Sequence, residues 1–270
     1  MSEQFEPGHE VPVTGQSFPG KEGDMPHPTP KFDKIPTADG GEKLYQAAGK
    51  LKDKKAIITG GDSGIGRASA ILFAMEGADT LIAYLPDEED DAQETKKRVE
   101  DYGRKCYLLA TDVTDKANCK KVVDEALEKL GGIDILFNNA AYQMMVENIK
   151  DLSEDQWLHT FNTNIHPFFF LSKYALPPHE AGRDHYQPMR ASTLTWDDRA
   201  LLDYTSTKGA HRIVYSRFEQ PEAQKNFTSP MGRPAQPSEI ATCVVFLAST
   251  DSSALSGQVI HCNGGVIVNG

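Results

Sequence analysis

Gly60, Gly64 and Gly66 fall where a short aliphatic run, Ala56-Ile57-Ile58, gives way to apolar residues at helical spacing: Ile65, Ala68, Ile71, Leu72 and Met75. A strand that passes through glycines straight into a helix needs backbone angles that only glycine adopts freely, so the local order is strand, sharp turn, helix. The alternation continues with strands at 80–84, 106–109 and 133–137 and helices at 87–102 and 116–130. Short strands that are apolar throughout are buried on both faces, and a helix between each pair demands parallel crossovers. The expected fold class is therefore α/β, a doubly wound parallel sheet.

A longer helical pattern covers 154–174, with Trp157, Phe161, Ile165, Phe168 and Leu171 on one side and a kink expected at Pro167. A further helix is expected at 238–248 and a last strand at 257–260. Residues 1–50 differ in kind. Pro7, Pro12, Pro19, Pro26, Pro28, Pro30 and Pro36 punctuate a stretch without periodicity, which cannot bury enough apolar surface to fold alone. It reads as an arm preceding one domain at 51–270.

A formal charge of -11 repels nucleic-acid backbones and anionic lipid, and no block of Lys or Arg offsets it. No nucleic-acid or membrane partner is expected. No stretch is apolar for the ~20 residues of a membrane span, and no leader pattern opens the sequence, so a cytoplasmic location is expected. Cys106, Cys119, Cys243 and Cys262 are scattered, which suits unpaired thiols in a reducing compartment. No two of His179, His185 and His211 share an element at ligand spacing, so no metal is expected.

Three motifs carry chemistry. The turn Thr59-Gly60-Gly61-Asp62-Ser63-Gly64-Ile65-Gly66 lets the backbone approach a pyrophosphate, whose charge meets the amides opening a helix. Read alone, it is also an ordinary glycine turn. Asn138-Asn139-Ala140 closes the fourth strand, where a ligand would lie across the carboxyl ends of a parallel sheet. Asp112-Val113 follows the third strand and could hold an adenine amino group, or Asp112 could cap the next helix. Tyr204 precedes Lys208 by one helical turn, so an ammonium can lower the phenol pKa and ready it for proton transfer.

In this combination and order the chain resembles the short-chain dehydrogenase/reductase family, from about residue 51 to 208 and again from 231 to 270. It is most similar to the branch with a proline-rich arm and with Leu201-Leu202-Asp203-Tyr204 leading into Thr207-Lys208-Gly209-Ala210. The resemblance implies a Rossmann-like fold, an NAD or NADP coenzyme and hydride transfer with a small carbonyl or alcohol substrate. It implies Tyr204 as acid/base, Lys208 as ribose ligand and pKa tuner, and Asn164 as support for a proton-relay water. Gly60, Ser63, Gly64, Ile65 and Gly66 would cradle the pyrophosphate; Tyr84, Asp112, Val113, Asn139 and Ala140 would flank adenosine and ribose. The second strand ends at Ala83-Tyr84-Leu85-Pro86 with neither an acid for a ribose diol nor an arginine for a 2′-phosphate, so NAD and NADP stay open. Dimers or tetramers through 154–174 and the helix from 203 onward are also implied.

The resemblance breaks in two places. The family's substrate-polarising serine stands thirteen residues before the tyrosine, and that position is Ala191, with Ser192 the candidate replacement. Ahead of it the text Gly182-Arg183-Asp184-His185-Tyr186-Gln187-Pro188 is too charged for a central strand. Between His211 and Pro230 there is too little chain for a helix, a sixth strand and a substrate lid, since one crossover takes at least ~10–12 residues. The sheet is therefore expected to be incomplete at its fifth and sixth strands. Residues 178–200 and 211–217 read like coding sequence out of frame, and the alternative function is a catalytically impaired dinucleotide-binding relative.

Overall fold

The computed structural model describes residues 3–9, 18–24, 30–144, 146, 148–176, 187–190, 230–255 and 260–265, with backbone alone at 187–190. Ala191, Ser192, Tyr204, Lys208 and nearly all of the strand expected at 257–260 lie outside them. So does the charged run 182–186.

The sheet follows the expected alternation: β3 (Lys55–Thr59), β4 (Asp79–Tyr84), β5 (Cys106–Ala110), β6 (Ile135–Asn138) and β7 (Gln187–Arg190) lie in the order β5-β4-β3-β6-β7. Every pairing is parallel, with Ile57 opposite Leu81 on one side and Leu136 on the other. Neighbouring side chains face opposite layers. Ile58, Ile82 and Phe137 pack toward α1 (Gly64–Met75), α2 (Glu89–Asp101) and α6 (Pro237–Ala248). Ile57, Leu81 and Leu136 pack toward α3 (Lys116–Leu130) and α5 (His166–Ala175). Burial on both faces is why these strands carry no polar alternation.

Helix ends follow their local text. Asp115 caps α3 by accepting from the Ala117 amide at 2.8 Å, and Gly131 ends it with φ 76°. The single helix expected over 154–174 is instead two, α4 (Glu154–Asn164) and α5, broken at Ile165. Pro167 lacks an amide donor and its ring clashes with the preceding turn, so the anticipated kink becomes a break.

A fifth strand does join the sheet, which corrects the expectation that this region would stay out of it. Pairing runs from Gln187 opposite Ile135 to Arg190 opposite Asn138, beyond the charged run. Among the described residues β7 is an edge strand, the place where Pro188 is tolerated because an edge does not need every amide donor.

The arm lies against the domain. It contains a small antiparallel hairpin, β1 (Lys34–Pro36) with β2 (Glu42–Leu44). Its root is held by Glu76, fully buried at the end of α1, whose carboxylate accepts from the Tyr45 hydroxyl at 2.5 Å and from the amides of Ala48 and Lys50 at 3.0 and 2.7 Å. Farther back, the Ser238 amide donates to the Lys31 carbonyl at 3.0 Å, and Gly8 donates to Gly232 at 2.7 Å. Among the described residues no helix is long and apolar enough to cross a membrane.

All four cysteines are free. Burial pushes the Cys106 and Cys119 thiols up to about 11. Cys243 and Cys262, distant in sequence, share a hydrogen bond that lowers Cys243 to about 7 and raises Cys262.

Candidate active site

Gly60 turns the chain out of β3 with φ 61°, its amide donating to the Ala83 carbonyl at 2.7 Å. A Cβ there would stand 3.1 Å from the Ala140 Cα, so the glycine lets the ends of β3 and β6 meet. At Gly66 a Cβ would run into the Gly60 carbonyl oxygen and the Asn139 amide group. Gly64 has φ 51° and open space where a Cβ would be. Ser63 stands at the N-cap of α1 but makes no side-chain cap. The first-turn amides of α1 therefore receive no cap from Ser63, above an unobstructed glycine, and this arrangement fits a diphosphate. Ile65 packs on the core beneath.

The other half of the cleft is stitched to this turn. Asn139 donates through its side-chain amide to the carbonyls of Thr59 at 3.1 Å and Gly60 at 2.9 Å. The Thr59 hydroxyl accepts from the backbone amides of Asn139 at 3.0 Å and Ala140 at 3.1 Å. Asn138, only 7% exposed, has a side-chain amide that meets no hydrogen-bond partner among the described residues.

Asn164 sits at the break between α4 and α5, 3% exposed. Its Oδ1 accepts from the Tyr142 amide at 2.7 Å and its Nδ2 donates to the Tyr142 carbonyl at 3.0 Å, so it fixes the segment leaving Ala140. Asp112 is exposed and its Oδ1 accepts from the Thr114 amide at 2.9 Å. It does not cap α3, a task that falls to Asp115; the capping alternative is thereby corrected. Val113 is buried against α3, its carbonyl accepting from the Cys119 thiol. The Tyr84 ring packs in the core and its hydroxyl donates to Glu89 at 2.6 Å, so the phenol is already engaged within the protein. Burial, then Glu89, raises the Tyr84 phenol further above its ordinary value.

Acidic groups crowd one flank of the turn. Burial pushes Glu88 up to about 7, with Asp62 and Asp91 reinforcing, and burial also raises Glu22, opposed there by the Arg67 guanidinium that favours its charged form. Burial also raises Asp62. Because the Glu88 carboxyl holds a proton in the folded state that the unfolded chain releases above 4.5, its contribution favours folding at low pH and is lost as pH rises toward 7. Melting temperatures taken by circular dichroism should fall from pH 5 to pH 8; a flat or rising series would contradict this.

Sequence reasoning picked out Gly60, Ser63, Gly64, Ile65, Gly66, Asn139 and Ala140, and the structure brings them together. It named Thr59 and Asn138 only as members of their motifs, with no role of their own, and did not pick out Arg67 or Thr95. A basic residue directly after Gly66, in the first helical turn where cations are disfavoured, was the available signal for Arg67.

Comparison with known proteins agrees with this geometry. The profile described as short chain dehydrogenase matches residues 54–184, and one described as enoyl-(acyl carrier protein) reductase matches 204–267. Neither covers 185–203. An uncharacterized oxidoreductase of Schizosaccharomyces pombe is 38% identical, with 96% of this chain and 99% of that protein covered. General stress protein 39 of Bacillus subtilis is 39% identical over 96% of this chain and 97% of its own length. A glucose and ribitol dehydrogenase homolog of Oryza sativa subsp. japonica is 38% identical, covering 100% of this chain and 99% of its own length. That last alignment spans 312 positions against 270 residues here, so at least 42 of its positions hold no residue of this chain. Among solved structures, NADH-dependent reductase A1-R' complexed with NAD is similar in fold, with TM-score 0.70 and 23% identity over 82% of this chain and 99% of that one. A short chain dehydrogenase from Mycobacterium smegmatis gives TM-score 0.68 and 24% identity over 82% and 96%. A glycine turn fused to an uncapped helix start, closed by Asn139 and Ala140 and matched along nearly the whole chain by such relatives, means that this chain belongs to the short-chain dehydrogenase/reductase family.

Proposed function

We propose that the protein is an NAD- or NADP-dependent oxidoreductase acting on a small carbonyl or alcohol. The observation that carries this reading is the start of α1: amides that Ser63 leaves uncapped, over the open space at Gly64, at the carboxyl end of a parallel sheet. Gly60, Ser63, Gly64, Ile65 and Gly66 would hold the diphosphate, and Asp112, Val113, Asn139 and Ala140 would line the adenosine and ribose, with Tyr84 beneath. When bound, the nicotinamide supplies or accepts a hydride at C4.

The chain's own residues handle the proton. Tyr204 gives its phenolic proton to the alkoxide formed from a carbonyl, or takes one from an alcohol. Lys208, four residues on, lowers the phenol pKa and binds ribose hydroxyls. Asn164 holds the loop at Tyr142 and so supports the relay that refills Tyr204. Ser192 is the hydroxyl nearest in sequence to the position from which the carbonyl is polarised. The reading extends to a homo-oligomer in a cytoplasmic setting, without nucleic-acid or membrane partners.

A second reading has its own support. Ala191 replaces the polarising serine, the profiles leave 185–203 unmatched, and relatives carry residues that this chain lacks. These favour a protein that binds coenzyme but turns over slowly or not at all. Titration with NADH and NADPH, followed by nucleotide fluorescence, should show saturable binding of at least one. Absence of both would sink the redox assignment, whereas binding without turnover of simple aldehydes and ketones would select the second reading.

A further inference from the structure

Arg67 is the most heavily engaged side chain beside the glycine turn, and one of its partners comes from the arm. It is 4% exposed. Its Nε donates to the Asp62 carbonyl at 2.8 Å and to the Thr95 hydroxyl at 2.9 Å. Its second terminal nitrogen donates to the Asp91 carbonyl and carboxylate, both at 3.1 Å. The remaining nitrogen makes an ion pair with Glu22. The Thr95 hydroxyl donates to the same Asp62 carbonyl at 2.8 Å. That carbonyl, in the middle of the turn, is thus fixed by two donors, and both depend on where the guanidinium lies.

The arm closes this assembly from outside. Glu22 is buried with Arg67, its backbone amide donates to Asp91 at 3.0 Å, and the Phe32 ring, 2% exposed, stacks 5.2 Å from the guanidinium carbons of Arg67 and Arg98. Four residues before Glu22, Phe18 packs edge-on against Tyr142 at 5.2 Å and His159 at 5.7 Å, beside the segment leaving Ala140. Residues 18–24 therefore touch both elements that frame the cleft. A buried guanidinium keeps its position only while its charge is matched.

We propose that Glu22 is a positioning residue for coenzyme binding: through Arg67 the proline-rich arm holds the Asp62 carbonyl and with it the diphosphate-binding shape of the turn. The inference rests on the proposed coenzyme site but concerns how the turn is shaped. Its sign separates it from simple electrostatics. Removing a negative charge near an anionic ligand should tighten binding by Coulomb attraction alone. Losing the grip on Arg67 should weaken it.

The test compares Glu22→Gln with Glu42→Gln, an arm carboxylate paired with Lys31 and Lys34 and not with Arg67. Dissociation constants for NADH and NADPH would be measured at pH 8, where the Glu22 carboxylate is charged, together with amide hydrogen exchange over residues 60–67 in the absence of coenzyme. Expected for Glu22→Gln are an increase of about tenfold in the dissociation constant, within the range by which remote positions modulate binding, and faster exchange confined to the turn. Glu42→Gln should change neither. Unchanged or tighter binding by Glu22→Gln would overturn the proposal. If the wild type binds neither coenzyme, the functional reading fails, and exchange alone decides: faster exchange in the turn upholds the arm's role, and unchanged exchange ends it.

Discussion

Replacing Tyr204 by phenylalanine should lower turnover by about 10²–10⁴-fold, the usual contribution of a positioned general acid, while leaving NADH or NADPH binding within about twofold. The substitution removes one oxygen and the proton it carries and keeps the ring. An unperturbed phenol near pKa ~10 is a poor proton shuttle at neutral pH, which is why Lys208 matters at its side. Initial rates followed by nicotinamide absorbance, beside binding titrations on the same preparation, provide the check. Equal rates in both proteins would remove Tyr204 from the proton path. Rates at background in both would mark the coenzyme-binding, slowly reacting alternative.

Gly66→Ala should be the most damaging single change in the described part of the site. The added methyl would meet the Gly60 carbonyl oxygen and the Asn139 side chain, and neither can yield alone, because Asn139 is tied to Thr59 and Gly60. Overpacking of this kind costs about 1–3 kcal/mol, and the displacement would fall on the first turn of α1. Expected are a lower melting temperature and loss of measurable NADH and NADPH binding. Gly103→Ala, where nothing lies within 4 Å of the added carbon but φ is 74°, should lower the melting temperature through backbone strain while leaving coenzyme binding unchanged. A Gly66→Ala protein that binds coenzyme as tightly as wild type would contradict the packing argument.

Much of this could be read from the text because the relevant forces are local. Ala56-Ile57-Ile58 running into Gly60 sets a strand and a turn from neighbouring residues alone, whereas the cap of α3 was read at Asp112 and is made by Asp115, three residues on. Asn139 and Ala140 were legible for the same reason, being the residues that close a buried strand. The break at Ile165 was half legible: Pro167 signalled a disturbance, but whether a helix bends or splits depends on what receives its loose end, here the contact between Asn164 and Tyr142. The network around Arg67 was not legible. Glu22, Asp91 and Thr95 are separated from it by 24 residues or more, and no spacing rule joins them. β7 was misjudged because the charged run was taken to speak for its neighbours, whereas pairing starts where the charges stop.

The anchorage at Glu76 has a consequence for where the chain can be lengthened. Its carboxylate is matched to amides at Ala48 and Lys50 and a hydroxyl at Tyr45, so inserting a single residue between 45 and 50 would slip those donors off a buried anion. The hairpin tip at 38–40 is exposed and lies outside that grip. Extra residues there would be absorbed as a longer loop, with Glu22 and Tyr45 both left where they stand.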